Sequence, residues 1–294
     1  MVALIASADR VSPDVRPRWI VRCLCIGILA VAACTNAVYN RLDTLAGWYL
    51  QSLVSLDSDQ REELHDWLFE TLAWHRRSEL NRYAQFLREL SSQLAQPGDL
   101  ASYERIEARF RGFLDDLAVK TTPEAAQLLL NLSQAQVSEL FTNLAAKTRE
   151  RAEKHADPVE WRRDQGKNLT KQLKRWTGSV SDSQEALIAA AVERLEPTSA
   201  TWAATQLAWR NAVQQALTGS GARTASATTV QQLLEHPEIQ WTPEYAQIRK
   251  RNRERYLELA ASLDASLSGG QRERLRAELL KLAQQLAKIA EERT

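Results

Sequence analysis

The sequence predicts an all-α fold, an irregular multi-helix bundle, and three observations lead there. Only ten glycines occur in 294 residues, 26% of side chains are charged and β-branched runs are few, a composition that disfavours a sheet. Four segments place a capping oxygen three residues ahead of a glutamine: Asp57 and Gln60, Ser133 and Gln136, Ser181 and Gln184, Ser268 and Gln271. Three more read Thr122-Pro123-Glu124, Asp157-Pro158 and Thr242-Pro243-Glu244, where proline suits the first helical position because its missing N–H has no partner there anyway.

In a capping box the first side chain accepts from a backbone N–H, and the glutamine reaches back to the cap's own N–H. A first helix is expected near 37–54, ahead of the Asp57 box, which opens a second over 57–95. Pro97-Gly98 stops that helix. The next spans 100–119, and Thr122-Pro123 then starts a separate one over 122–132. The Ser133 box opens 133–156, with Leu132 and Val137 spaced as a hydrophobic staple. Asp157-Pro158 opens 158–177, ended by Gly178, and the Ser181 box opens 181–195, ended by Pro197. A helix over 198–218 runs to Gly219. Residues 219–229, small and polar, read as a flexible loop ahead of a short helix at 230–235. Thr242-Pro243 opens 243–265, and the Ser268 box opens 268–292.

The boxes recur at intervals of 76, 48 and 87 residues, which is not the constant period of a solenoid. The expected organisation is a helical body over 34–218, the 219–229 loop, and a C-terminal helical part over 230–294 packed on that body. The loop either hinges two subdomains or lies slack on one continuous bundle.

Ahead of the bundle, Arg10, Arg16, Arg18 and Arg22 precede an apolar stretch from Cys23 to Ala33 that ends in Val31-Ala32-Ala33-Cys34. A charged lead, a short apolar core and small residues before a cut form an export signal, and the cysteine that follows resembles the bacterial lipoprotein lipobox. A membrane-spanning helix needs about 20 apolar residues. Only eleven precede Cys34, and Thr35 and Asn36 follow it. Residues 1–33 are therefore expected to be removed as a signal peptide, leaving Cys34 as a lipidated first residue. Each buried methylene contributes about 0.8 kcal/mol, so two or three acyl chains hold a protein durably at a membrane. Cys23 and Cys25 leave with the signal, and the mature chain then has no pair of thiols to bridge. Thr35, in place of aspartate, resembles lipoproteins sorted to the outer membrane.

Residues 1–33 hold four basic and two acidic side chains, so of the chain's 38 basic and 37 acidic residues 34 and 35 remain. A body so near neutrality argues against general nucleic-acid binding, which rests on neutralising many phosphates.

Cys34, Tyr39-Asn40-Arg41-Leu42-Asp43, Trp48-Tyr49, Leu56-Asp57-x-x-Gln60-Arg61 and Trp74-His75-Arg76-Arg77-x-Glu79-Leu80-x-x-Tyr83 resemble the bacterial lipoprotein family catalogued as domain of unknown function 6279. The likeness continues in Trp241-Thr242-Pro243-Glu244-Tyr245, Arg253-x-x-Tyr256 and Leu267-Ser268-x-x-Gln271-Arg272. The resemblance implies a helical, exported, lipid-anchored protein of Gram-negative bacteria, and it carries no activity with it. The Leu-Ser-x-x-Gln caps also resemble those of small helical periplasmic chaperones and metal-stress sensors with an LTxxQ motif, although a capping box arises for helix-start reasons alone.

Candidate chemistry is sparse. His65, His75, His155 and His236 are scattered, without the paired spacing of a zinc site, and no metal or cofactor is expected. His75 has Glu79 four residues on, a spacing that suits either an acid–base couple or a plain helix-surface ion pair. No Gly-x-Ser-x-Gly elbow or phosphate-cradling glycine loop occurs, and an enzyme is not expected. Trp67 and Trp74, like Trp202 and Trp209, recur seven residues apart and so share a helix face with neighbours such as Leu64 or Val213. Packing explains such stripes by default; an exposed pair would instead suit a sugar chain or a peptide.

Arg163, Lys167, Lys171 and Lys174 align along one side of the helix after Pro158, bracketed by Trp161 and Trp176. They are a candidate contact for anionic lipid head groups, or else a solvated face or one paired with the acidic run Asp57, Asp59, Glu62, Glu63 and Asp66. The basic cluster Arg249 to Arg255 wraps around its helix, so part of it is expected to reach internal carboxylates. The expected function is that of a lipid-anchored interaction or structural protein of the cell envelope, facing the periplasm. A chaperone-like binder of envelope client proteins is the alternative, and an envelope hydrolase comes third. An apolar groove would favour the chaperone, a tight pocket joining His75 to a second titratable group the enzyme, and a flat polar surface with one basic face docking.

Overall fold

The structure is a computed structural model that describes residues 39–219 and 223–292, the side chains of 223–225 excepted. Cys34 and the expected signal peptide lie outside the described residues. The chain runs α1 (Leu42–Gln51), α2 (Ser58–Gln93), α3 (Leu100–Leu130), α4 (Gln134–Lys154) and α5 (Pro158–Thr177). It continues with α6 (Asp182–Arg194), α7 (Ser199–Thr218), α8 (Arg223–Glu235), a 3-10 turn (Pro237–Gln240), α9 (Pro243–Ala265) and α10 (Gly269–Glu291). No strand occurs among the described residues, so the fold is an all-α, multi-helix bundle. None of the described helices is long and apolar enough to cross a membrane.

Two sequence expectations are corrected. The helices expected over 100–119 and 122–132 are one, with Pro123 inside α3. Thr121 and Thr122 do not cap; their hydroxyls lie 2.8 Å from the Leu117 carbonyl and 2.9 Å from the Ala118 carbonyl, bonding one turn back. Thr122 also reaches the Glu235 carboxylate at 2.5 Å, which ties α3 to α8. The expected loop over 219–229 is helical from Arg223 onward, and α8 continues to Glu235. Val230 and Leu233 are buried there, and tertiary packing outweighs the poor helix propensity of the threonines.

All four capping boxes form. Each N-cap accepts from the backbone N–H three residues on, and each glutamine returns to the cap's N–H. The glutamines do more than close their own helix ends. Gln184 and Gln271 exchange reciprocal amide bonds, both 3.0 Å, and each spare N–H meets the carbonyl two residues before the other's cap: Ser266 for Gln184, Ser179 for Gln271. Gln60 and Gln136 repeat the arrangement at 3.1 and 2.6 Å, with Asn131 and Ser55 supplying the carbonyls. Four helix starts are thereby joined into two locally two-fold pairs, α6 with α10 and α2 with α4.

The apolar faces build two main clusters. In the larger, Leu80, Leu87 and Leu90 of α2 are buried with Leu279, Leu282 and Leu286 of α10, joined by Trp161 and Leu169 of α5, Ile188 of α6, Leu263 of α9 and Tyr103 of α3. A fully buried leucine contributes about 2 kcal/mol. The second gathers Ala126 at the end of α3, Val137 and Phe141 of α4, Trp209 and Val213 of α7, and Val230 and Leu233 of α8. The loop boundary at 219–229 therefore does not divide the cores: α8 joins helices before it, while α9 and α10 complete the core of α2. Asp264, fully buried, pins the α9–α10 turn to the α2–α3 turn through Arg272 at 2.7 Å and the Gly98 N–H at 2.8 Å. Gly178 ends α5 at φ 83°, a left-handed conformation that L side chains rarely adopt, so glycine is required there.

Candidate functional site

Beside the second core, the sequence leaves space between three amphipathic helix faces. Gln60, Glu63, Leu64 and Trp67 line the first turns of α2, Leu140, Phe141, Leu144, Thr148 and Arg151 run down α4, and Trp202, Gln206, Trp209 and Val213 run down α7. Each set follows the three- and four-residue steps of one helix face. Leu53, Val54 and Leu56 of the α1–α2 connection and Leu128 and Leu129 of α3 complete the walls. The open cavity they line has a volume of about 640 Å³.

Its polar groups are unevenly placed. Lys147, Arg151 and Lys154, three and four residues apart, bring positive charge to the C-terminal half of α4, and Arg210 adds more from α7. The helix dipole favours cations at that end. Glu150 lies among them, and Glu63 stands at the other end of α4, held by the Asn131 amide at 3.0 and 3.1 Å. Arg210 is only 8% exposed; its Nη1 donates to the Thr148 hydroxyl at 2.6 Å and approaches the Leu144 carbonyl at 3.5 Å. It makes no ion pair among the described residues, and burial lowers its pKa. The indole N–H of Trp67 and Nδ1 of His155 are buried with no hydrogen-bond partner among the described residues. Burial, then Arg151 and Lys154, lowers the pKa of His155 and favours a neutral ring.

The expected site residues lie elsewhere. His75 is buried at 1% exposure; its Nδ1 shares a 3.0 Å hydrogen bond with the Tyr39 hydroxyl, and burial lowers its pKa to about 4. Glu79 makes no pair with it and instead grips Arg82 at 2.8 and 3.0 Å. Arg163, Lys167, Lys171 and Lys174 are exposed on α5, opposite the buried face of Trp161, Gln165, Leu169 and Leu173. Arg163 pairs with Glu160 at 3.3 Å, whereas Lys167, Lys171 and Lys174 make no ion pair among the described residues, with the acidic run of α2 or otherwise. In the second basic cluster, Arg251 and Arg255 hold Glu196 at 2.6 and 2.7 Å, Arg253 holds Glu107 at 2.8 Å, and Glu196 falls to a pKa of about 2. These arginines are structural.

Among the described residues no group of three His, Cys, Asp or Glu side chains is placed to hold a metal ion. The tryptophans divide: Trp74 packs against the Phe110, Leu114 and Leu117 cluster, while Trp67 joins Trp202 and Trp209 around the cavity. The sequence marked the two seven-residue pairs but not the grouping across helices, because no local spacing relates α2 to α7. Arg210 stood out by no motif at all.

No curated protein and no solved structure matches the chain. Residues 52–246, more than half of the chain, match a family of unknown function, DUF6279. The matched span includes every helix that lines the cavity except α1 and stops short of α10. The chain belongs to the DUF6279 family.

Proposed function

We propose that this chain is an envelope lipoprotein, tethered at Cys34 and facing the periplasm, that binds an apolar ligand in the cavity between α2, α4 and α7. One observation carries the binding role: a cavity of about 640 Å³ with predominantly leucine, tryptophan and phenylalanine walls. Small-molecule sites typically occupy about 300–1,000 Å³ and have this apolar character. The reading is of a binding protein rather than an enzyme. The tether rests on the lipobox-like Val31-Ala32-Ala33-Cys34.

The test is fluorescence of the neutral probe N-phenyl-1-naphthylamine on the purified chain. Emission should rise on binding, and Leu144→Trp, which places an indole in the cavity, should abolish the rise while the melting temperature holds. Equal emission from both proteins would overturn the cavity as the site. For the tether, Cys34→Ser should prevent incorporation of labelled fatty acid; continued labelling would refute it.

The exposed lysines of α5 support a second role for the same molecule. We propose that Arg163, Lys167, Lys171 and Lys174 contact anionic head groups of the membrane that holds the anchor.

A further inference from the structure

An apolar cavity alone does not name its occupant, but the cationic end of this one narrows the choice. A largely buried guanidinium without an acid is costly, because no counter-charge stabilises it. Arg210 is 8% exposed and makes no ion pair among the described residues, and its unbonded N–H groups meet only solvent-accessible space. Its Nη1 hydrogens go to Thr148 and Leu144, and its Nε–Nη2 edge has no partner among the described residues. That edge is the fork that receives a carboxylate through two parallel hydrogen bonds. Lys154 makes no ion pair among the described residues, and Lys147 lies 5.3 Å from the Tyr49 ring centre, so both lysines reinforce an anionic preference. An unfolded protein segment fits less well. It would carry a backbone donor and acceptor at every residue into walls of leucine and tryptophan that offer few partners.

We infer that the cavity takes a long-chain fatty acid, its carboxylate on the Nε–Nη2 edge of Arg210 and its hydrocarbon tail against Leu140, Leu144 and Trp67. The inference rests on the proposed apolar-ligand site and names the ligand. A hydrocarbon tail asks nothing of the walls but exclusion of water, and each added methylene strengthens binding about fourfold. The acid completes a charge that the protein leaves open.

The experiment exposes the full chain in its membrane fraction to a palmitate probe bearing a diazirine near the methyl end, followed by irradiation and peptide mapping. Crosslinks are expected on cavity-facing peptides of α2 and α4. Unlabelled palmitate should displace the probe at least about tenfold better than hexadecanol, since a charge-assisted pair is at stake. Arg210→Gln should weaken labelling by about tenfold, and Lys147→Glu combined with Lys154→Glu, both on the rim, should weaken it severalfold. The rim variant decides the matter should Arg210→Gln unfold. Equal competition by the alcohol, unchanged labelling in the rim variant, or crosslinks confined to other surfaces would overturn the inference. Binding of N-phenyl-1-naphthylamine without palmitate binding refutes the fatty acid and leaves the apolar site standing; binding of neither refutes both.

Discussion

Replacing Gln271 by alanine removes four hydrogen bonds at once. Its carbonyl oxygen accepts from the Ser268 N–H and the Gln184 amide, both at 3.0 Å, and its nitrogen donates to the Ser179 carbonyl at 3.1 Å and to Gln184 at 3.0 Å. Net worth per bond is about 0.5–1.5 kcal/mol, and the amide left behind, Gln184, is completely buried, although Ser179 and Ser268 are exposed. Gln271→Ala should therefore destabilise the chain by about 3 kcal/mol. Gln136 supplies an internal control: it makes the same four kinds of bond to Ser133, Gln60 and Ser55, but at a partly exposed site where water can replace it. Gln136→Ala should cost only about 1 kcal/mol. Urea unfolding followed by far-UV circular dichroism measures both. Adding Gln184→Ala to Gln271→Ala should cost about 1 kcal/mol less than the sum of the single variants, because each single change already orphans the other amide. Equal costs at Gln136 and Gln271, or strict additivity of the buried pair, would show that the exchange of amides between helix starts contributes nothing beyond ordinary capping.

The caps themselves predict that Ser133→Ala and Ser268→Ala each lose about 1 kcal/mol, and unchanged denaturation midpoints for both would contradict their role. His75, ringed by Tyr39, Trp74 and Tyr83, has a pKa lowered from 6.5 to about 4, so between those values the unfolded chain takes a proton that the native chain refuses. Stability should accordingly fall by roughly 3 kcal/mol as pH drops through that window, with His155 adding to the loss in the same direction, and His75→Gln should flatten the decline when urea midpoints are compared across it. An identical slope in the variant would exclude His75 as the cause. Lys167→Glu with Lys171→Glu should weaken sedimentation of the unlipidated Cys34→Ser chain with anionic vesicles; binding identical to that of the chain with both lysines would remove α5 as a lipid contact.

Helix starts were legible because capping is a contract among neighbours in sequence. Asp57, Ser133, Ser181 and Ser268 announce themselves within four residues, and all four boxes form. The same local code misled at Thr122-Pro123, where the threonine can satisfy a carbonyl one turn back as readily as a free N–H ahead. At α8 it marked only 230–235 as helical, since nothing in Ala-Thr-Thr-Val reveals that Val230 and Leu233 will find α3 and α7 and extend the helix back to Arg223. Which glutamine meets which, and which tryptophans share a cavity, are long-range choices. Pattern along one helix cannot express them, and Arg210, buried without an acid beside Thr148, emerges only when α4 and α7 are brought together.

The partnership of α2 with α10 sets the order in which this molecule can be finished. Ser91 bonds the Arg276 carbonyl across 185 residues, and Arg76 approaches the Glu292 carbonyl across 216. During synthesis α2 is among the earliest helices to leave the ribosome and must wait for nearly the whole polypeptide before its leucines are covered. Closing so large a loop is entropically slow, and the incomplete chain stays open and threadable. For a polypeptide exported as proposed, that delay is an asset: the lock arrives only with α10.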